Sequence, residues 1–561
     1  MKQTIVQTLI ALTNLNKQEI ENLIEIPPSP DLGDYAFPCF VLAKQLKKNP
    51  NEIAQELSKK ISPQGLEKVE AKGPYINFFL DKTNLANETL NKIKKEKNKY
   101  GSQKIKSLVL IETPGPNTNK PLHLGHVRNI ILGQAIKNLL EFSGNEVKIV
   151  NINNDRGIHI CKSLVAYEKF GKNATPQTEK IKSDHLVGDF YVKYAKELEK
   201  NKDLEKEVQD CLQKWEAGNK KTLSLWKKMN SWAYKGFNET YKKFDLKIDK
   251  HYYESKIYKR GKEIVLEQFK RGNVQKKLDG AYFVDLSKEE LGEKILLRAD
   301  GTSIYITQDL YLALQRKKEF NFDKLIHVVA SEQDHHFKVL FTLLKKFGYK
   351  WAENLHHLSY GLVHLESGRM KSREGTVIDA DDLILDLEKL AEEELIKRYP
   401  KLSKKEKKKR IKAISMSAIR YYFLRTDRMK DVVFIPEKSI SFEGNTGPYL
   451  LYTYARARSI IRKAKNKSAK IEITLPDQEE KNLLIMLDSF PTTVKKAYDS
   501  LAPNIVANYA YQLAQKFNEF YHVNKVIGSD NENFRLLLVD AFSRVLKNSL
   551  KLLHIETLEE M

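Results

Sequence analysis

Cysteine is scarce in this sequence: three in 561 residues, Cys39, Cys161 and Cys211, far apart along the chain. No Cys-x-x-Cys pair occurs, which argues against a structural zinc site and a disulfide framework and fits a reducing cytosol. Long apolar runs are missing too, so no membrane span is expected. The first dozen residues, Met1-Lys-Gln-Thr-Ile-Val-Gln-Thr-Leu-Ile-Ala-Leu, are broken by polar side chains and lack a small-residue cleavage site, a poor match to a secretory signal. The expectation is a soluble, cytoplasmic protein. There is no internal repeat, and the low-complexity patch is the lysine-rich run Lys404–Lys409. Acidic residues are in deficit: 73 Asp and Glu against 96 Lys and Arg leave a net charge of +23. A surplus of that size favours a polyanionic partner, although a lysine-biased proteome would produce it as well.

The chain is too long for one core, so two to four domains are expected. Residues 1–100 alternate helical patterns with short strands such as Tyr75-Ile-Asn-Phe-Phe-Leu80, and a lysine-rich stretch ending at Tyr100-Gly-Ser102 reads as a linker. Residues 101–403 alternate strand and helix. The strands are expected at Ser107–Ile111, Glu146–Asn151, Leu325–Ala330 and Leu358–Val363. A polar stretch from about 158 to 297 reads as an inserted subdomain, followed by a hairpin with its turn at Asp300-Gly301. From 404 to 561 the pattern is helical. In one segment Val506, Tyr509, Leu513, Phe517 and Phe520 recur at three- and four-residue intervals, one apolar stripe of a core helix. The expected fold is therefore multidomain: an α+β N-terminal domain, an α/β Rossmann-type middle with an insertion, and an all-α C-terminal domain.

The most informative stretch is Pro116-Asn-Thr-Asn-Lys-Pro-Leu-His-Leu-Gly-His126. It joins an apolar strand to a helical pattern, the arrangement by which a doubly wound sheet presents phosphate-binding groups. Gly125 allows close backbone approach, and His123 and His126 can each donate to a phosphate oxygen. The other strands also end in polar residues, Asn151-Ile-Asn-Asn-Asp155 and Ser331-Glu-Gln-Asp334, the latter spaced like a helix cap. The fourth leads to the basic segment Gly368-Arg-Met-Lys-Ser-Arg-Glu-Gly375.

Together, His-Leu-Gly-His and that basic segment resemble the two signature motifs of class I aminoacyl-tRNA synthetases, the second being their mobile Lys-Met-Ser-Lys-Ser loop. Five further segments are similar to the arginyl branch of the class: Glu112-Thr-Pro-Gly-Pro-Asn117, Tyr305-Ile-Thr-Gln-Asp309, Ala330-Ser-Glu-Gln-Asp-His-His-Phe337, Ser441-Phe-Glu-Gly-Asn-Thr-Gly-Pro-Tyr449 continuing to Arg456, and Asp540-Ala-Phe-Ser-Arg-Val-Leu546. Leu32-Gly-Asp-Tyr-Ala-Phe-Pro38 and Gly73–Leu80 look like that branch's additional N-terminal domain, so the resemblance covers nearly the whole chain.

The resemblance implies an ATP-dependent ligase that joins L-arginine to tRNA(Arg) through an adenylate, with Mg2+ accompanying the nucleotide. No DNA, membrane or structural metal is implied, and members usually act as monomers. Pro116, His123, Gly125 and His126 would bind ATP. Asp309 and Glu112 would hold the guanidinium with help from Tyr305, since a planar permanent cation calls for carboxylates. Asn117 and Gln333 would hold the amino and carboxylate end. Asn77 and Phe79 would meet the tRNA, as would Met561 and the C-terminal Tyr449 or Tyr452, although either tyrosine could equally be core. Aligned on Met370, the loop departs from its pattern: Ser372 stands where the second lysine is usual. Lys120, or else Lys371 or Arg373 in the loop itself, would then supply the missing cation. Two other readings stay open: a small nucleotidyltransferase, which the long helical C-terminus disfavours, and a catalytically silent relative that only binds RNA.

Overall fold

The computed structural model describes residues 2–62, 65–365, 368–369, 378–464 and 475–561. Strands β1 (Tyr35–Pro38), β2 (Leu66–Lys72) and β3 (Tyr75–Leu80) form an antiparallel sheet in the order β1-β3-β2, with helix Pro50–Lys60 packed on β2 and β3, while helix Lys82–Glu96 packs on the C-terminal helices. The stretch after it is no free linker. Tyr100 is buried, donates its hydroxyl to the Leu487 carbonyl at 2.9 Å and stacks on Phe490. The buried ion pair Lys481–Asp34, 2.7 Å, adds a second tie between the two ends of the chain.

Strands β4 (Leu108–Glu112), β5 (Glu146–Asn153) and β6 (Lys250–Tyr253) are followed by a small antiparallel sheet, β7 (Gln275–Lys276), β8 (Tyr282–Leu286) and β9 (Gly292–Leu297), and then by β10 (Lys324–Ala330) and β11 (Leu355–Tyr360). β4, β5, β6, β10 and β11 assemble into one parallel sheet in the order β11-β10-β4-β5-β6. Alternate residues of β4 face opposite layers: Val109 and Ile111 join one core cluster, Leu110 the other. A strand buried on both faces must be apolar throughout, which is why Leu-Val-Leu-Ile reads as a continuous run. From β4 the connections run one way through β5 and β6, and the chain then returns to place β10 on the other side. The topological switch therefore lies between β4 and β10, where an open α/β sheet leaves a crevice beyond its strand ends.

Four expectations shift. The inserted stretch is not all peripheral, because β6 lies inside it and completes the main sheet. The turn at Asp300-Gly301 forms, with the Arg298 amide donating to Thr302 at 3.0 Å, but its second arm stops at a bridge between Leu297 and Ser303. Tyr305 already opens the helix Tyr305–Phe320, and β9 pairs with β8 instead. The fourth strand ends at Tyr360, and Val363 starts a separate short strand. Ser331 also does not cap the following helix: Gln333 occupies that position without a side-chain hydrogen bond. Cys161 and Cys211, distant in sequence, lie within hydrogen-bonding reach on neighbouring helices, yet both are free thiols, as is Cys39.

The C-terminal part is helical as expected, with Lys404–Leu424, Gly447–Lys463, Gln478–Ser500, Pro503–Val523 and Glu532–Leu552. Its apolar stripes are core: Val506, Tyr509, Leu513, Phe517 and Phe520 are all buried, and Phe517 stacks on Phe542 at 3.9 Å. No helix among the described residues is long and apolar enough to cross a membrane.

Candidate active site

A cavity of about 540 Å³ opens at the switch point, walled by Glu112–Gly115 after β4 and Val328–Ala330 at the end of β10. His123, Gly125, His126 and Lys120 close one side; Asp309, Gln333 and His336 close the other. A second cavity of about 380 Å³ shares Ile152, Asn154, Asp309, Gln333 and His336 with the first and adds Asn117, Arg156, Glu254, Tyr305 and Gln308. The two make one crevice with two ends.

At the first end the histidines are locked by the backbone. His123 caps the helix Leu124–Phe142, its Nδ1 accepting from the Gly125 amide at 3.2 Å. His126 reaches back, its Nδ1 accepting from the His123 amide at 3.1 Å. Each Nδ1 is thus an acceptor, so each proton sits on Nε2 and the neutral ring has one donor to offer. Burial, with the charge of Lys120 nearby, pushes His123 down to about 3. Burial also drives His126 well below its ordinary value, helped by His123 and Lys120. The rings lie 4.0 Å apart, an arrangement that two imidazolium cations could not share. Lys120 is likewise lowered by burial. The helix below is held by Arg128, fully buried, which donates to the carbonyls of Leu362 at 3.0 Å and Lys430 at 2.8 Å. Pro116 is buried, and its carbonyl accepts from the Asn154 amide at 3.0 Å.

The second end is acidic. Tyr305 and Asp309 lie one turn apart on the helix Tyr305–Phe320, hence on one face. Tyr305 is exposed, and an Asp309 oxygen lies 2.6 Å from His336 Nε2. Glu254, which no local signal in the sequence marks, enters only because β6 completes the sheet. Its carboxyl is pushed up to about 7, by burial first and then by the charges of Asp155 and Asp309, against Arg156 at 3.9 Å. Asn117 and Gln333 are exposed at the crevice, Asn117 bridging to Asn154.

Glu112 is placed differently from its sequence-derived role. It is buried and committed to a short ion pair with Arg316, and His327 Nδ1 lies 3.2 Å from the same oxygen. Burial alone would raise its carboxyl; Arg316 and His327 override that and hold it well below the usual range. An acid already neutralised by an internal guanidinium is a poor partner for a second one. Met370, Lys371, Ser372 and Arg373 lie outside the described residues. Among the RNA candidates, Asn77 is only 3% exposed and presents almost no surface, whereas Phe79 is half-buried beneath Lys68. Tyr449 and Tyr452 are half-buried: Tyr449 accepts from Asn518 at 2.7 Å, and Arg456 lies over the Tyr452 ring. Met561 packs against the helical core.

A parallel sheet with a histidine loop at its switch point and a helical domain behind it is the architecture of a class I aminoacyl-tRNA synthetase. The family models agree. Residues 89–435 match the class I (R) tRNA synthetase catalytic domain, 450–561 the DALR anticodon-binding domain, and 1–80 the arginyl-tRNA synthetase N-terminal domain. The chain is 43% identical to the arginine–tRNA ligase of Treponema denticola, over 96% of this chain and 94% of that one. It is 41% identical to the enzyme of Borrelia hermsii, over 100% and 99%. Thermus thermophilus arginyl-tRNA synthetase superposes with a TM-score of 0.84 at 26% identity, covering 100% of each chain. The chain belongs to the arginyl-tRNA synthetase family of class I ligases.

Proposed function

We propose that this chain attaches L-arginine to tRNA(Arg) in two steps within the single crevice. In the first, a carboxylate oxygen of arginine attacks the α-phosphorus of ATP, a new P–O bond forms, and the bond to the β-phosphate breaks to release pyrophosphate. In the second, a ribose hydroxyl of the terminal tRNA nucleotide attacks the arginyl carbonyl carbon and AMP leaves. No protein nucleophile is needed; the residues position and stabilise charge.

The observation that carries this reading is the polarity of the crevice. At the histidine end, two Nε2–H donors with fixed tautomers, Gly125 and Lys120 suit an anion in which negative charge develops. At the other end, a guanidinium would be held by Asp309, Glu254 and Tyr305. Glu254 takes the place that the sequence suggested for Glu112, because a desolvated acid near other acids gains most from a cation. Gln333, which lines both cavities, and Asn117, which lines the second, are where the amino and carboxylate groups of arginine would be fixed. We assign Mg2+ to the phosphates of the nucleotide itself, since the buried carboxylate of the cavity, Glu112, is committed to Arg316 and His327.

For the RNA, we infer that residues 1–100 meet the body of the tRNA through Phe79 and that residues 404–561 take the anticodon, with the exposed parts of Tyr449 and Tyr452 and the C-terminal Met561 at that surface. Residues 101–403 form the catalytic unit in this division. The reading includes a cytoplasmic monomer with no DNA or membrane partner, in keeping with three free thiols. A charging assay with radiolabelled arginine and total tRNA, run beside lysine and glutamine, tests it. Arginyl-tRNA alone is expected; its absence overturns the reading.

A further inference from the structure

The inserted helices touch the histidine loop through a cluster that the reaction itself does not use. Helix Ser183–Lys200 carries His185, whose Nε2 lies 3.1 Å from an Asp379 oxygen and 3.8 Å from Asp381. Lys182, just before that helix, donates to Asp184 at 3.1 Å, to Asp381 at 2.6 Å and to Thr240 at 2.6 Å. Lys243 lies 2.6 Å from the other Asp381 oxygen. Three acids, Asp184, Asp379 and Asp381, thus face two lysines and one histidine. Asp184, His185 and Asp381 are close enough to share a metal ion, but the Lys182 ammonium already bridges both carboxylates and takes that place.

What this cluster holds is the backbone around His123. Asp379 forms a bridge with His123, in which the Leu124 amide donates to Ile378 at 3.0 Å and the Ala380 amide to Leu122 at 2.9 Å. The segment Ile378–Ala380 therefore brackets the phosphate-facing histidine on both sides. One oxygen of Asp379 is spent on capping the helix Ala380–Arg398, where it accepts from the Asp381 amide at 2.7 Å; the other is the one His185 faces. One turn beyond His185, Gly188 lies so close to the loop that a Cβ there would stand 2.6 Å from Pro121 Cδ. The same inserted helix thus meets the loop directly at Pro121 and, through Asp379, at His123.

We propose that His185 is a positioning residue for His123: it holds Asp379, whose backbone neighbours fix the histidine loop, so the inserted subdomain sets where the catalytic ring stands. It supplies the cation that balances the third carboxylate. In keeping with this, burial alone would lower His185, and Asp379 and Asp381 raise it instead to about 10. The inference rests on the arginine-charging reading above.

The test compares wild type, His185→Ala, His185→Lys, Asp379→Asn and the double variant His185→Ala/Asp379→Asn in tRNA charging, with thermal midpoints in parallel. Asp379→Asn keeps an oxygen for the helix cap. His185→Ala is expected to lower kcat at least tenfold while KM for arginine stays within about twofold, and His185→Lys to restore most of the loss. The double variant is expected to be no slower than the slower single one, because both changes break one link. Multiplying losses, an unchanged kcat in His185→Ala, or equal losses in His185→Ala and His185→Lys would overturn the proposal. Should His185→Ala fold poorly, the Asp379→Asn and His185→Lys arms still decide: a normal kcat in Asp379→Asn overturns it. A wild-type enzyme that charges no arginine would instead sink the functional reading.

Discussion

The two ends of the crevice treat charge in opposite ways. At the histidine end, burial and a neighbouring lysine strip protons from His123 and His126, and backbone amides decide which nitrogen keeps the remaining one. The result is a pair of neutral donors that, on the proposed reading, would bind an anion without first shedding their own counterions. At the acidic end, burial works on carboxyls: it raises Glu254 to about 7, with Asp155 and Asp309 adding to the effect. Arg156, 3.9 Å from Glu254, offsets this only in part. The same physical cause, desolvation of an ionisable group, would on the proposed reading suit one end to phosphate and the other to guanidinium. Glu112 sits in the same crevice and shows the contrast: with Arg316 already beside it, its charge is satisfied from within the protein.

The largest expected effect is at the acidic end. Asp309→Ala would remove one half of the ion pair with substrate, at a cost of about 3 kcal/mol, the upper end for a hydrogen bond to a charged group because Asp309 is partly exposed. Arginine KM should rise beyond practical saturation while ATP affinity, carried by the other end, hardly changes. A normal arginine KM in this variant would take Asp309 out of the pocket.

Glu254→Gln should weaken arginine by about 1.5–3 kcal/mol, the range for a hydrogen bond to a charged group. The pH dependence sharpens this. In wild type the Glu254 carboxyl gains its proton as pH falls through about 7, so kcat/KM for arginine should drop below neutrality. Glu254→Gln should flatten that limb, whereas Glu112→Gln should leave it in place. A retained limb in the Glu254 variant would return the role to another acid.

The histidine end makes a prediction about stability. His123 is depressed to about 3 and His126 lies well below its ordinary value, whereas the unfolded chain takes up the proton near 6.5. Their contribution is fully present above pH 6.5 and is lost as pH falls through the depressed values, about 2 kcal/mol for His123 between pH 7.5 and 5, with His126 acting in the same direction. His356 and His554, each lowered to about 4, act in the same direction. His185, raised to about 10, contributes fully below pH 6.5 and so adds nothing to the fall. A His123→Asn/His126→Asn variant, which keeps capping side chains, should show a thermal midpoint less sensitive to acid than wild type. Parallel acid sensitivity in both proteins would mean that the rings are not held neutral.

The smallest expected effect is Lys120→Ala: a tenfold lower kcat for adenylate formation, about 1.4 kcal/mol, with little change in KM for ATP, as for a contact made mainly in the transition state. Lys371→Ala and Arg373→Ala should be milder. A Lys120→Ala enzyme within threefold of wild type, about 0.65 kcal/mol, would hand the role to the loop.

Much of this molecule is written locally. Leu108–Ile111, flanked by turns, can only be a strand buried on both faces, and the loop that follows carries its glycine and histidines within four residues of one another. The helical stripes of Val506–Phe520 state their own period and proved to be core. What tertiary structure alone decided is which distant charges meet. Glu112 and Asp309 look alike in sequence, two acids at element ends; Arg316, two turns along from Asp309, claims the first and leaves the second to His336. Glu254 is one acid among many in a polar stretch until β6 docks beside β5. Lys182, His185, Asp379 and Asp381 come together from segments almost two hundred residues apart. Periodicity is a property of neighbours in the chain, so it survives in the sequence. The charge state of a buried group depends on every atom packed around it, and no window of residues contains those atoms.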